Sequence, residues 1–148
     1  MFNIDQIKRI QGSIDYIEEN LCEDIKLEDI AETAYLSQFH FHRTFHAVVG
    51  ETVMDYIRKR RLTRAAEELV QHKVKVIDVA LKYQFSSQEA FTRAFKKQFG
   101  VSPREYRKNK IEEKLFSRIN VEEIINPQFI NRKIKAARNN EVSMRMAA

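Results

Sequence analysis

The chain is poor in residues that break helices: of 148 residues, only 3 are glycine and 2 are proline. So few turn formers exclude a β-rich sandwich or barrel and lead to the expectation of an all-helical protein. Tryptophan is absent, and cysteine occurs once, at Cys22, so no internal disulfide can form. No apolar run approaches the roughly 20 residues of a membrane-spanning helix. The N-terminus lacks the basic and apolar stretches of a signal peptide, so the expected location is the cytoplasm, with no membrane partner. Also missing are a glycine-rich phosphate loop, a nucleophile elbow and an acid pair at catalytic spacing. The chain is therefore not read as an enzyme, and neither catalytic residues nor a cofactor are expected.

What is present begins with charge. The net charge of +5 hides an asymmetry. Residues 1–34 carry nine acids against three bases, and residues 35–110 carry sixteen bases against seven acids. A basic segment beside an acidic one suits a polyanion-binding surface with a solvated back, although basic helices are also simply soluble. With 43% hydrophobic residues the chain can fill one ordinary core.

The basic segment contains an internal repeat. Ser37-Gln38-x-x-Phe41-x-Arg43-x-Phe45, closed by Gly50, recurs fifty positions later as Ser87-Gln88-x-x-Phe91-x-Arg93-x-Phe95, closed by Gly100. The match continues through Thr52/Ser102, Asp55/Glu105, Tyr56/Tyr106 and Arg58/Lys108, past one helix into the next. Two copies of one surface suggest a ligand that also repeats, and the major groove of duplex DNA does so once per turn.

Helical signals divide the chain. Asn3-x-x-Gln6 reads as a capping box opening a first helix to about Asn20. A first helix-turn-helix spans about 27–50, with a short helix to about Ala34, a turn at Tyr35-Leu36, and a helix capped by Ser37 and ended by Gly50. Thr52-x-x-Asp55 opens a linker helix over about 52–71. A second helix-turn-helix spans about 76–100, its second helix capped by Ser86 or Ser87. Ser102-Pro103-x-Glu105 starts a last helix over about 102–109. Residues 1–110 thus form one domain. Residues 111–148 read as a tail, or as a linker to an effector domain, with a short helix opening at Asn120 and stopped by Pro127.

Phe41, Phe45, Val48 and Val49 share one helical face, as do Phe91, Phe95 and Phe99, and both stripes are assigned to the core. The opposite faces are then exposed. Phe39, His42, Arg43 and His46 form one line, and Glu89, Thr92, Arg93 and Lys96 form the other, with Gln88 at its start. Arginine suits guanine, glutamine adenine, glutamate the cytosine amine, and threonine or phenylalanine the thymine methyl. The base-reading candidates are therefore Phe39, His42, Arg43, Gln88, Glu89, Thr92 and Arg93. For Phe39 the competing reading is an aromatic tucked back onto Tyr35; for Glu89 it is a charge favoured by the helix dipole.

Phosphate candidates surround these lines: Ser37, His46, Arg58, Arg61, Ser87, Lys96, Lys97, Arg107 and Lys108, within the wider basic set of Arg58-Lys59-Arg60-Arg61, Arg64 and Arg104. Four consecutive basic residues exceed one helical turn, so Arg58 to Arg61 cannot all face one DNA backbone. His42 and His46 have metal-like i, i+4 spacing, but His40 points about 160° away from His42. No cysteine lies nearby to complete a site, so no metal is expected.

With these residues assigned, the chain resembles the DNA-binding domain of the AraC family of bacterial transcription regulators, over about Asn3 to Asn109. The most specific marks are Val76-Ile77-Asp78-Val79-Ala80 and Phe85-Ser86-Ser87-Gln88-x-x-Phe91-x-Arg93-Ala94-Phe95-Lys96-Lys97-x-Phe99-Gly100-Val101-Ser102-Pro103-x-x-Tyr106-Arg107. The compact start is similar to the small MarA, SoxS and Rob group. The resemblance implies seven helices and two helix-turn-helix units joined by a long central helix. It also implies monomeric binding to an asymmetric site in double-stranded DNA, and contact with RNA polymerase. Tyr35 and Gln84 stand where many members have a turn glycine, and His42 and Glu89 where the Mar-like group has glutamine, so a different operator is expected. The alternative is a helical protein-interaction module without specific DNA readout.

Overall fold

The computed structural model describes residues 2–109 and 118–121. Within them the chain is all-helical, in the order α1 (Ile4–Glu19), α2 (Leu27–Thr33), α3 (Gln38–Val49), α4 (Val53–Gln71), α5 (Val76–Lys82), α6 (Gln88–Phe99) and α7 (Pro103–Asn109). The starts follow their capping chemistry. Asn3 accepts from the Gln6 amide at 2.7 Å while the Gln6 side chain accepts from the Asn3 amide at 3.2 Å, a reciprocal capping box. Ser37, Thr52, Ser87 and Ser102 each accept from the backbone amide three residues on, at 3.1 to 3.2 Å. Ser87 is thus the cap of α6, and Ser86 is not.

Helices α3 and α6 end alike. Gly50 and Gly100 adopt left-handed backbone, φ 88° and 80°, and return their amides to His46 and Lys96. A side chain there would be strained, which is why glycine closes both copies.

The repeat also appears in the packing. Phe41, Phe45, Phe91 and Phe95 have no exposed surface. The Phe45 ring meets Tyr56 edge-on at 5.8 Å, and the equivalent Phe95 meets Tyr106 edge-on at 5.3 Å. Each such pair contributes about 0.5–1.5 kcal/mol beyond its buried area. Helix α1 covers α2 and α3; α5, α6 and α7 gather on α4, which also touches α3. Both helix-turn-helix units therefore pack on α4, which joins them.

The turns between α2 and α3 and between α5 and α6 hold the two non-glycine residues with positive φ among the described residues, Tyr35 at 55° and Gln84 at 68°. Each costs about 1–2 kcal/mol. The turn at Tyr35 is braced by Arg9, whose Nη1 donates to the carbonyls of Ala34 (3.2 Å) and Tyr35 (3.1 Å).

Residues 118–121 fold back onto the first unit. The Val121 side chain is fully buried, and its amide donates to Gln11 Oε1 at 2.9 Å. The Ile119 amide donates to the Tyr56 hydroxyl at 3.3 Å, and Arg118 pairs with Asp15. Within the stretch read as a tail or linker, these four residues pack against the domain. The short helix expected to open at Asn120 and to be stopped by Pro127 lies mostly outside the described residues.

Candidate nucleic-acid interface

Burial of the phenylalanine stripes turns the other faces of α3 and α6 to solvent. Phe39, His42, Arg43 and His46 are all exposed on α3; Gln88, Glu89, Arg93, Lys96 and Lys97 are exposed on α6, with Thr92 half-buried beside them. Phe39 does not tuck into the core: it is 72% exposed and lies beneath the Arg43 guanidinium, whose carbon is 5.6 Å from the ring centroid. Stacking of this kind steadies a long cationic side chain and contributes about 0.5–1 kcal/mol at an exposed site. Tyr35, 84% exposed, lies instead against Arg9 at 6.0 Å.

Between α4 and α6 runs a groove of about 570 Å³ with Leu62, Ala90 and Ala94 at its floor and Arg58, Lys59, Arg93 and Lys97 around it. Gln98, also in the lining, fastens the two helices, donating to the Lys59 carbonyl at 3.3 Å and to the Thr63 hydroxyl at 3.4 Å. Two of the four cations hold carboxylate partners: Arg58 an exposed one, Asp55, at 2.8 Å, and Lys59 a largely buried one, Glu51, at 2.6 Å. A surface pair such as Arg58–Asp55 is worth about 0–1 kcal/mol, so a phosphate can displace it.

The basic run on α4 divides as helical geometry requires. Arg60 is buried and paired with Glu18 of α1, and this inward role was not legible in the run itself. Arg61 and Arg107, both expected at phosphates, are committed elsewhere. Arg61 is half-buried and donates to the carbonyls of Leu21 (2.9 Å) and Glu23 (2.7 Å); burial pulls its guanidinium below the ordinary arginine range. Arg107 donates to the Leu69 carbonyl at 3.0 Å and to the Val74 carbonyl. In both cases the guanidinium fork is engaged by two backbone carbonyls, in or just beyond the last turn of a helix, which leaves it poorly placed for a ligand.

Ser37 and Ser87 spend an oxygen lone pair on their helix caps. Their hydroxyl hydrogens stay available to an incoming acceptor. His46, Arg58, Lys96, Lys97 and Lys108 remain exposed. His40, His42 and His46 are exposed too, and among the described residues no three His, Cys, Asp or Glu side chains gather as a metal site. No helix in the same residues is long and apolar enough to cross a membrane.

Two capped helices of equal length, each presenting one arginine at the same offset and each backed by an equivalent aromatic core, define a double helix-turn-helix domain. A family described as a helix-turn-helix domain matches residues 30–109. The chain is similar to an uncharacterized HTH-type transcriptional regulator, YbfP, of Bacillus subtilis, with 50% identity over 100 residues, 68% of this chain and 34% of that protein. It is also similar to the transposon Tn10 TetD protein of Escherichia coli, with 48% identity over 96 residues, 65% of this chain and 70% of TetD. To the HTH-type transcriptional activator AarP of Providencia stuartii it is 45% identical over 92 residues, 62% and 68% of the two chains. The chain therefore spans about a third of YbfP but more than two thirds of TetD and AarP.

Solved structures agree with the fold. An AraC-type DNA-binding protein from Chromobacterium violaceum superposes with TM-score 0.68 at 25% identity, covering 75% of this chain and 99% of its own. The DNA-binding domain of AdpA, solved in complex with a target DNA, gives 0.64 at 28% identity over 68% of this chain and 91% of its own. The chain belongs to the AraC family of helix-turn-helix transcription regulators.

Proposed function

We propose that the chain binds double-stranded DNA sequence-specifically as a monomer, with α3 and α6 in successive major-groove segments on one side of the duplex. The observation that carries this reading is the recurrence of exposed Arg43 and Arg93 at the same place on two helices of identical length and identical caps. In B-DNA such segments lie one turn, about 34–36 Å, apart.

Phe39, His42 and Arg43 read bases in one segment, and Gln88, Glu89, Thr92 and Arg93 in the other. Because the two sets differ in chemistry, the site is asymmetric and fixes one orientation of the protein. Ser37, His46, Arg58, Ser87, Lys96, Lys97 and Lys108 hold phosphates, and Arg61 and Arg107 act within the protein instead. Glu89 would repel a phosphate, so its place is against a cytosine amine.

RNA polymerase is the protein partner that this reading implies, supported by the naming of AarP as a transcriptional activator. The chain acts in the cytoplasm on the nucleoid and has no catalytic role.

Selection from random duplexes, followed by affinity measurement across salt concentrations, tests the proposal. The expected result is an asymmetric consensus with two base-specific blocks and a steep fall of affinity with salt. A flat salt response without enrichment of any sequence favours the protein-interaction module instead.

A further inference from the structure

The carbonyls of Leu21, Cys22 and Glu23, just beyond the end of α1, are all taken by side chains from elsewhere. Arg61 of α4 holds Leu21 and Glu23. Between them, the Cys22 carbonyl accepts from Gln84 Nε2 at 2.7 Å. Gln84 lies in the turn between α5 and α6, so this bond runs from the second helix-turn-helix to the loop that leads from α1 into the first, without passing through α4.

The backbone at Gln84 makes the choice of residue informative. Its φ of 68° suits glycine, and a side chain there is held at a cost. What the side chain adds is a donor of sufficient reach. We propose that Gln84 is a positioning residue: it fixes the angle of the second unit relative to the first, and so sets the separation of the DNA segments read by α3 and α6. The bond ties the α5–α6 turn to the α1–α2 loop in addition to the connection through α4, and so opposes movement of one against the other. Arg61 anchors the same connection, so the bridge ends on a fixed point. This inference rests on the two-helix DNA reading above.

The test compares Gln84→Ala, which keeps the backbone strain and loses the donor, with Gln84→Gly, which loses both. Affinity is measured on the selected duplex, on duplexes with one base pair inserted or removed between the two blocks, and on duplexes carrying a single block. Both variants should bind the selected duplex two- to tenfold more weakly, the range expected for one hydrogen bond. They should bind single-block duplexes unchanged and discriminate less against altered spacing. Unaltered spacing preference, or an equal loss on single-block duplexes, overturns the proposal.

Residual dipolar couplings without DNA separate failure of the bridge from failure of the DNA reading. The intact chain should give one alignment for both units, and both variants should show a second alignment or lower order in one unit. Identical alignment in all three proteins overturns the inference whether or not any duplex binds.

Discussion

Arg60 of α4 and Glu18 of α1 face each other in a largely buried ion pair, with Nε 3.1 Å from Oε2 and a second guanidinium nitrogen on Oε1. Burying two charges is costly, and mutual pairing offsets that cost only while both partners are present. Arg60→Ala leaves the Glu18 carboxylate stranded and should lose about 3–5 kcal/mol of stability, measured by urea unfolding. The double variant Arg60→Met with Glu18→Leu should recover most of the loss.

The capping serines have two separable roles. Ser87→Ala should cost about 1 kcal/mol of stability through the lost bond to the Ala90 amide. Ser87→Asp keeps a cap and places a negative charge at the helix start, so thermal unfolding should hardly change. Binding to every DNA sequence should nevertheless weaken, because the carboxylate faces the proposed phosphate position. Fluorescence anisotropy on specific and random duplexes checks this.

The segment 118–121 makes a prediction outside the residues matched by the family. Val121 is fully buried beside α1, so Val121→Ala should cost about 1–2 kcal/mol by loss of two buried carbon groups. Ending the chain after residue 117 should cost more, because the bonds to Gln11 and Tyr56 go as well. Equal melting temperatures for the shortened and intact chains would show that this segment does not pack in solution.

Acid should act at the start of α4. The Asp55 carboxyl is held below its ordinary 3.8, first by the Thr52 hydroxyl and then by Arg58. A folded-state value below the unfolded one means that its stabilising contribution is complete above about pH 3.8. The contribution is lost as pH falls through the lowered value. Asp55→Asn should therefore flatten the stability profile below pH 4 and lower stability above it. A variant with an unchanged acid limb would contradict this.

Much of the fold was legible because its signals are local. Asn3, Ser37, Thr52, Ser87 and Ser102 cap where their spacing to the next amide allows, and Gly50 and Gly100 end the helices that their φ values permit. The phenylalanine stripes gave both buried faces, and hence the exposed lines at Arg43 and Arg93. Less legible was everything decided by partners far along the chain. Arg58, Lys59, Arg60 and Arg61 look alike in sequence, yet Arg60 turns inward to Glu18 and Arg61 to the end of α1. Their positions around the helix allow the split, but only the placement of α1 fixes which residue faces it. Gln84 likewise looks like an awkward turn residue until the Cys22 carbonyl stands opposite its amide. Val121 stands at the start of the short helix expected from Asn120, and nothing so local says that its partner is α1.

The most direct measurement is the effect of Arg93→Ala and Lys97→Ala on affinity for the selected duplex and for random DNA. Arg93→Ala should lose about 1–3 kcal/mol on the selected duplex, relax preference at one base pair, and lose less on random DNA. Lys97→Ala should weaken both alike and make the salt dependence shallower. Equal losses on specific and random DNA for Arg93→Ala would contradict the assignment of α6 as a base-reading helix.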